Sequence, residues 1–207
     1  MPPEGRSARG DARRKQILDG ALAAIREQPL ADVQLAAIAA HAGLKPNHVL
    51  YYFASRDDVL IAAVAHAEHE LAAGRSERLR AIADPEERLG AYVREYLPEN
   101  RHDPVWKLWI EGWLRSSSRD EFAEVGWEAN LGWRADLVEA IGHALGPRAR
   151  ATDETSALAR RFNFLLDGIA MHVLAGHVGA QEGAELAMGS MRAELAVAAS
   201  HPAAHGE

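Results

Sequence analysis

The chain contains no cysteine, which excludes disulfides, zinc fingers, iron–sulfur clusters and thiol catalysis and points to a reducing, cytoplasmic setting. Long hydrophobic runs are missing too. The longest, Val59 to Ala65, is far shorter than the roughly 20 apolar residues that cross a bilayer. The opening Met1-Pro-Pro-Glu-Gly-Arg has no apolar signal segment, so the expectation is a soluble protein that is not exported. Nowhere do apolar and polar residues alternate over a strand length. There is no Gly-rich phosphate loop, and the run Ser116-Ser117-Ser118 lacks the Gly-x-Ser-x-Gly frame of a nucleophile elbow. His66, His69 and Glu70 have a helical spacing that could face a metal, but three ligands within one turn and no distant fourth make a poor metal set. The expectation is a protein that is not an enzyme and uses no cofactor and no metal.

Basic residues are in deficit overall, with a net charge of -7, and this argues against a nucleic-acid partner until their distribution is considered. Residues 1–60 carry 8 Lys and Arg against 7 Asp and Glu, whereas residues 61–207 carry 15 against 23. Arg6, Arg9, Arg13, Arg14 and Lys15 face only Asp11 between residues 6 and 15. Such an arm either lies beside phosphates or simply solubilises the chain.

What is present is helical periodicity, with apolar positions recurring at three and four. A first stripe, Ile17, Leu18, Ala21, Leu22 and Ile25, ends near Pro29. A short second one, Leu35, Ile38 and Ala39, ends at Ala42-Gly43. Pro46, whose fixed φ and missing N–H suit a first turn, opens a third with Val49, Leu50 and Phe53. One long helix is expected from Asp57 through Leu60, Ile61, Val64 and Leu71 to Asp84-Pro85. Further helices are marked by Leu89, Val93 and Leu97, by Val105 to Leu114, by Phe122 to Leu145 before Gly146-Pro147, by Asp153 to Gly176, and by Gln181 to Ala199. The chain reads as all-α. Residues 33–53, two short helices joined by a Gly turn, form a helix-turn-helix whose second helix can present its N-terminal side chains to a major groove about 12 Å wide.

The runs Arg14-Lys-Gln-Ile-Leu-Asp-Gly-Ala, Ile38-Ala-Ala-His-Ala-Gly-Leu and Val49-Leu-Tyr-Tyr-Phe-Ala-Ser-Arg-Asp-Asp-Val-Leu60 resemble the N-terminal signature of TetR-family transcriptional regulators. The resemblance implies a three-helix helix-turn-helix head over residues 10–56, joined to a larger helical effector-binding and dimerisation domain over residues 57–200. A flexible basic arm (residues 1–9) and a flexible tail (residues 201–207) flank them. It further implies a homodimeric repressor that binds a double-stranded DNA operator and is released by a small hydrophobic or aromatic effector. A helical protein-interaction module without DNA binding is the other reading of an all-α chain. It leaves the polar recognition helix unexplained.

Departures from the family pattern fall on the DNA-facing positions. Lys45 stands where Ser usually caps the recognition helix, a loss of about 1 kcal/mol of capping, and is assigned to a phosphate. Asn47 stands where Gly is common and can bond both N6 and N7 of adenine, which Gly cannot. Leu50 stands where a phosphate-bonding Tyr is usual, so that role passes to Tyr51 or Tyr52, although Tyr52 and Phe53 also fit core packing. His48 is placed near the bases with Asn47, Arg56 on a phosphate, and Gln34 on a phosphate or as a small cap.

All five tryptophans lie between positions 106 and 133. Trp106, Trp109 and Trp113 share one helical face, which either fills a core or walls an effector pocket with Trp127, Phe162 and His172 opposite. His172, on an apolar stripe, also fits a satisfied buried histidine. Glu111, Glu124, Glu128 and Asp167 leave room for a cationic aromatic ligand. The helix from Asp153 is apolar on two sides, one through Leu158, Phe162, Leu165, Ile169 and His172, the other through Phe164, Gly168, Met171 and Ala175. The last helix adds Ala184, Ala187, Met188, Met191, Leu195 and Ala198. The leftover faces suit a two-fold four-helix interface, or else both are covered within one larger monomer core.

Overall fold

The computed structural model describes residues 4–116, 120–146 and 153–200. It is helical, with no strand among the described residues: α1 (Glu4–Glu27), a 3-10 turn (Leu30–Asp32), α2 (Leu35–His41), α3 (Pro46–Tyr52), α4 (Arg56–Ala72), α5 (Arg75–Ala81), α6 (Pro85–Tyr96), α7 (Pro104–Ser116), α8 (Asp120–Leu145), α9 (Asp153–Ala175) and α10 (Ala180–Ser200). Residues 4–9, read from sequence as a flexible arm, continue α1 as helix. The tail 201–207, and Ser117, Ser118 and Pro147, lie outside the described residues.

The single helix expected from Asp57 to Asp84 is two. The break falls at Gly74, whose φ of 74° lies in the left-handed region that side chains with a Cβ disfavour. Ala72-Ala73-Gly74 is thus a stop signal that the apolar periodicity on both sides concealed.

The chain divides into two compact units, residues 1–71 with 102–129, and residues 72–101 with 130–207. The first is built around Ile17, Ile25, Ile38, Val49, Val59 and Leu60, with Leu108 of α7 completing the same core. It therefore extends beyond the head of residues 10–56. Lys107 donates to the carbonyl of Ile25 in the last turn of α1 (3.3 Å), and Arg115 pairs with Asp57 in the first turn of α4 (2.6 Å).

In the second unit α6 packs on α5 and α10, and α10 packs on α9. Its fully buried side chains include Tyr92, Leu137, Ile141, Leu158, Phe162, Leu166 and Met191. Asp84 caps α6 by accepting from the Glu87 N–H (2.7 Å), ahead of Pro85 at the first helical position. Gly183 lets α10 approach α9. A Cβ there would sit 3.0 Å from a methyl of Ile169 and 3.2 Å from one of Val173.

Candidate nucleic-acid interface

The turn between α2 and α3 is fixed by backbone chemistry. Gly43 takes φ 64°, its N–H reaches the carbonyl of Ala40 (3.0 Å), and the N–H of Leu44 reaches back to Ala39 (2.7 Å). This pair of bonds satisfies carbonyls left open at the end of α2. Gln16 of α1 donates to the Ala42 carbonyl (2.5 Å). Gly20 permits that approach: a Cβ on it would lie 2.8 Å from the Ala42 nitrogen and 3.0 Å from the Ile38 carbonyl oxygen.

The turn then presents α3. Val49, fully buried, pins the helix to the core from its inner face. Lys45, Pro46, Asn47, His48 and Leu50 are exposed, and Tyr51 is 82% exposed. Lys45 occupies the cap position with no side-chain cap bond, as expected once Ser is replaced. Tyr52 is half-buried against the head core, and its carbonyl accepts from Arg14 (3.1 Å), whose guanidinium carbon lies 4.3 Å from the Phe53 ring centroid. Part of the basic N-terminal cluster therefore holds the recognition helix in place. Gln34 is exposed at the cap position of α2 and makes no cap bond. Arg56 is turned inward: it donates to the carbonyls of Leu30 (2.5 Å) and Val33 (2.6 Å), and its side chain is 21% exposed. Sequence reasoning placed this guanidinium on a phosphate. Its donors instead serve two carbonyls about the 3-10 turn, that of Val33 and that of Leu30, which also accepts the Val33 N–H (3.2 Å).

Residues 17–63 match the family model described as bacterial regulatory proteins, tetR family, and residues 85–196 match the one described as BetI-type transcriptional repressor, C-terminal. This chain belongs to the TetR family. It is 27% identical over 193 residues to the HTH-type transcriptional regulator BetI of Stenotrophomonas maltophilia, covering 90% of this chain and 95% of that one. Against the BetI of Proteus mirabilis the identity is 25% over 160 residues, covering 76% and 78%. Among solved structures, a putative transcriptional regulator from Saccharomonospora viridis in complex with choline superposes with a TM-score of 0.70 at 24% identity, covering 92% of this chain and 97% of that one. A putative TetR-family regulator from Rhodococcus sp. gives 0.68 at 20% identity, covering 87% and 97%. The protein is a DNA-binding transcriptional regulator, and no helix among the described residues is long and apolar enough to cross a membrane.

In this TetR-family chain the residues expected around an effector fall in different units. Trp106, Trp109, Trp113 and Trp127 belong to the first, Phe162 and His172 to the second. Trp106 is buried and meets Trp113 edge-on at 6.1 Å, Trp109 packs against the head core, and Trp113 and Trp127 are 42% and 60% exposed. Phe162 is core. His172 is exposed and paired with His177 (3.0 Å between Nδ1 atoms), not buried, because the covered face of α9 runs through Leu166, Ala170 and Val173 and leaves position 172 beside it. Glu111 is engaged by Arg115 (2.5 Å), Glu124 is exposed, and the side chain of Glu128 lies outside the described residues.

Sequence reasoning missed a different group in the second unit. Tyr92 and Tyr96 of α6 stack at 5.8 Å, and both meet Trp133 of α8 edge-on at 5.6 and 5.0 Å. Arg75 lies over the Trp133 ring, 3.6 Å from its centroid, and pairs with Asp136 (2.6 Å), which Ser76 also contacts. Across the cluster the Tyr96 hydroxyl donates to Asp167 of α9 (2.6 Å). The i, i+4 spacings Tyr92/Tyr96 and Asn163/Asp167 were the available signal.

Proposed function

We propose that this regulator is a homodimeric repressor that acts in the cytoplasm, reads a pseudo-palindromic operator through α3 and releases it when a small organic cation binds. The observation that carries the DNA reading is the outer face of α3. Among the described residues, the side chains of Lys45, Asn47 and His48 make no hydrogen bond or ion pair with the rest of the chain. Asn47 and His48 would read base edges, while Gln34, Lys45 and Tyr51 bond phosphates and Tyr52 braces the helix from its half-buried position.

Dimerisation is supported by the apolar face that α9 leaves uncovered. Phe164 is 68% and Met171 43% exposed, and Gly168 and Ala175 on the same face are exposed too. On α10 Leu186 and Val197 are 53% and 63% exposed, while Ala187, Met188 and Met191 turn inward. A second copy covering these faces makes a two-fold four-helix interface, and a two-fold reader demands a two-fold site, with half-sites about one helical turn apart or more.

The cationic effector is supported by the choline complex of the Saccharomonospora neighbour and by the cluster of aromatic rings and a carboxylate in the second unit. A hundredfold loss of operator affinity needs about 2.7 kcal/mol of preference for the non-operator arrangement, within reach of one small ligand. A gel shift on DNA flanking the protein's own gene, run with and without choline, tests the reading. A shifted band that choline dissolves supports it, and no specific band refutes it.

A further inference from the structure

We infer that the end of α9 carries a chelating site for one divalent transition-metal ion, with the Nδ1 atoms of His172 and His177 as its two protein ligands. The site is independent of the effector reading above.

The backbone brings the two rings together. Gly176 takes φ 75°, its N–H bonds the carbonyl of Val173 (3.0 Å), and the N–H of His177 bonds that of His172 (2.9 Å). These two bonds make a Schellman ending, in which the side chains at the two ends of the closing loop meet, commonly as an apolar pair. Here the pair is two exposed imidazoles. Their Nδ1 atoms are 3.0 Å apart, one donating to the other, with ring centres 5.3 Å apart and ring planes at 48°.

This spacing matches ligand geometry. Two imidazoles on one tetrahedral ion, with metal–nitrogen bonds of about 2.0–2.1 Å, have ring centres about 5.2 Å and nitrogens about 3.3–3.4 Å apart. The ring centres of His172 and His177 already stand at that separation, so each ring has only to tip until its Nδ1 lone pair aims at a common point between them. The donating ring moves its proton from Nδ1 to Nε2, which frees both lone pairs and leaves both rings neutral. Because the helix ending holds the two residues in place, little ordering is left for the ion to impose.

The surroundings select the class of ion. The last turn of α9 presents the negative end of the helix dipole, which favours a cation. No carboxylate joins the pair: among the described residues no group of three His, Cys, Asp or Glu is placed to hold a metal, so water fills the remaining positions. Arg101 lies over the same turn, a guanidinium nitrogen 3.7 Å from where a Cβ on Gly176 would sit. Two neutral nitrogens beside an arginine hold an ion through coordinate bonds, as zinc, nickel and copper allow. Magnesium and calcium need oxygen ligands and find none here.

The test is calorimetric titration of the untagged full-length protein with zinc chloride and, separately, with magnesium chloride. The chain has 10 histidines, so the site is read as a difference between variants. The wild type is expected to bind one zinc ion per protomer whose affinity falls at least about tenfold in His177→Ala and in His172→Gln, since either change turns a chelate into a single donor. The double variant should lose no more than either single one, as residues acting as a unit do. Zinc should also shift the Hε1 resonances of both histidines together, and magnesium should leave them in place. Circular dichroism checks that each variant keeps its helix content. Unchanged zinc binding in His177→Ala, magnesium binding that the variants abolish, or separate losses that add up in the double variant would each overturn the assignment.

Discussion

Replacing Arg56 with alanine distinguishes a structural guanidinium from a DNA-contacting one. In the folded chain Arg56 donates to the carbonyls of Leu30 and Val33 at 2.5 and 2.6 Å, with its side chain 21% exposed. A hydrogen bond from a charged donor contributes about 1.5–3 kcal/mol, and some of this returns when water reaches a partly open carbonyl. Arg56→Ala should therefore cost about 2–4 kcal/mol of folding free energy, a large share of the roughly 5–15 kcal/mol that holds a typical domain. Arg56→Lys, with one compact ammonium in place of a planar fork, should recover about half, because it reaches one carbonyl at a time. Urea denaturation measures the loss as a lower midpoint at unchanged slope. Operator binding followed against salt concentration supplies the second readout. An internal Arg56 leaves the slope of log affinity against log salt unchanged for the folded fraction, whereas loss of a phosphate contact would reduce it by about 1. Wild-type stability together with a flattened salt slope would refute the inward assignment.

Asn47→Ala should relax preference at one base pair in each half-site, a discrimination worth about 1–3 kcal/mol, measurable by selecting operators from a randomised pool. Lys45→Ala should instead weaken all sequences alike and lower the salt slope by about 1. Gly20→Ala drives a methyl against backbone atoms at 2.8 and 3.0 Å, so α1 must move away from the α2–α3 turn. The expected cost is about 1–3 kcal/mol in denaturation, with operator affinity falling further than the unfolded fraction accounts for. Phe164→Asp, at a position 68% exposed, should leave circular dichroism intact and convert the protein to monomer in sedimentation.

The parts of this fold legible in the sequence are those decided by local chemistry. Ala42-Gly43 fixes the end of α2, Pro46 the start of α3, and Asp84-Pro85 the start of α6, and each is realised. The two sides of α9 were readable in part: Phe164, Gly168, Met171 and Ala175 are exposed and Leu158 and Phe162 buried, but the buried side continues through Leu166, Ala170 and Val173 and not to His172. What escaped depends on partners distant in sequence. Arg56 looks like any basic residue beside a recognition helix until Leu30 and Val33 turn their carbonyls toward it. Periodicity shows that Trp106, Trp109 and Trp113 share a face, but only the neighbouring elements decide that Trp106 is buried and Trp113 open. Tyr96 and Asp167 are 71 positions apart, and no local pattern joins a tyrosine on α6 to a carboxylate on α9.

Asp167 ties the stability of the second unit to pH. Burial raises its pKa above the ordinary 3.8, and the Tyr96 hydrogen bond, which favours the charged form, only partly opposes this. The folded state thus holds the proton more tightly than the unfolded chain does. The stability this contributes is fully present below the ordinary carboxylate value and is lost as pH rises through the raised folded value, so at neutral pH the carboxylate is a burden on the fold. Asp167→Asn removes the charge and keeps the shape, and should melt above the wild type at pH 7, with the difference shrinking as pH falls toward the carboxylate range. Melting curves at pH 7 and within the carboxylate range measure the difference and its loss. A variant that melts below the wild type at pH 7 would show that the ionised carboxylate serves the fold and would refute the burden assigned to it.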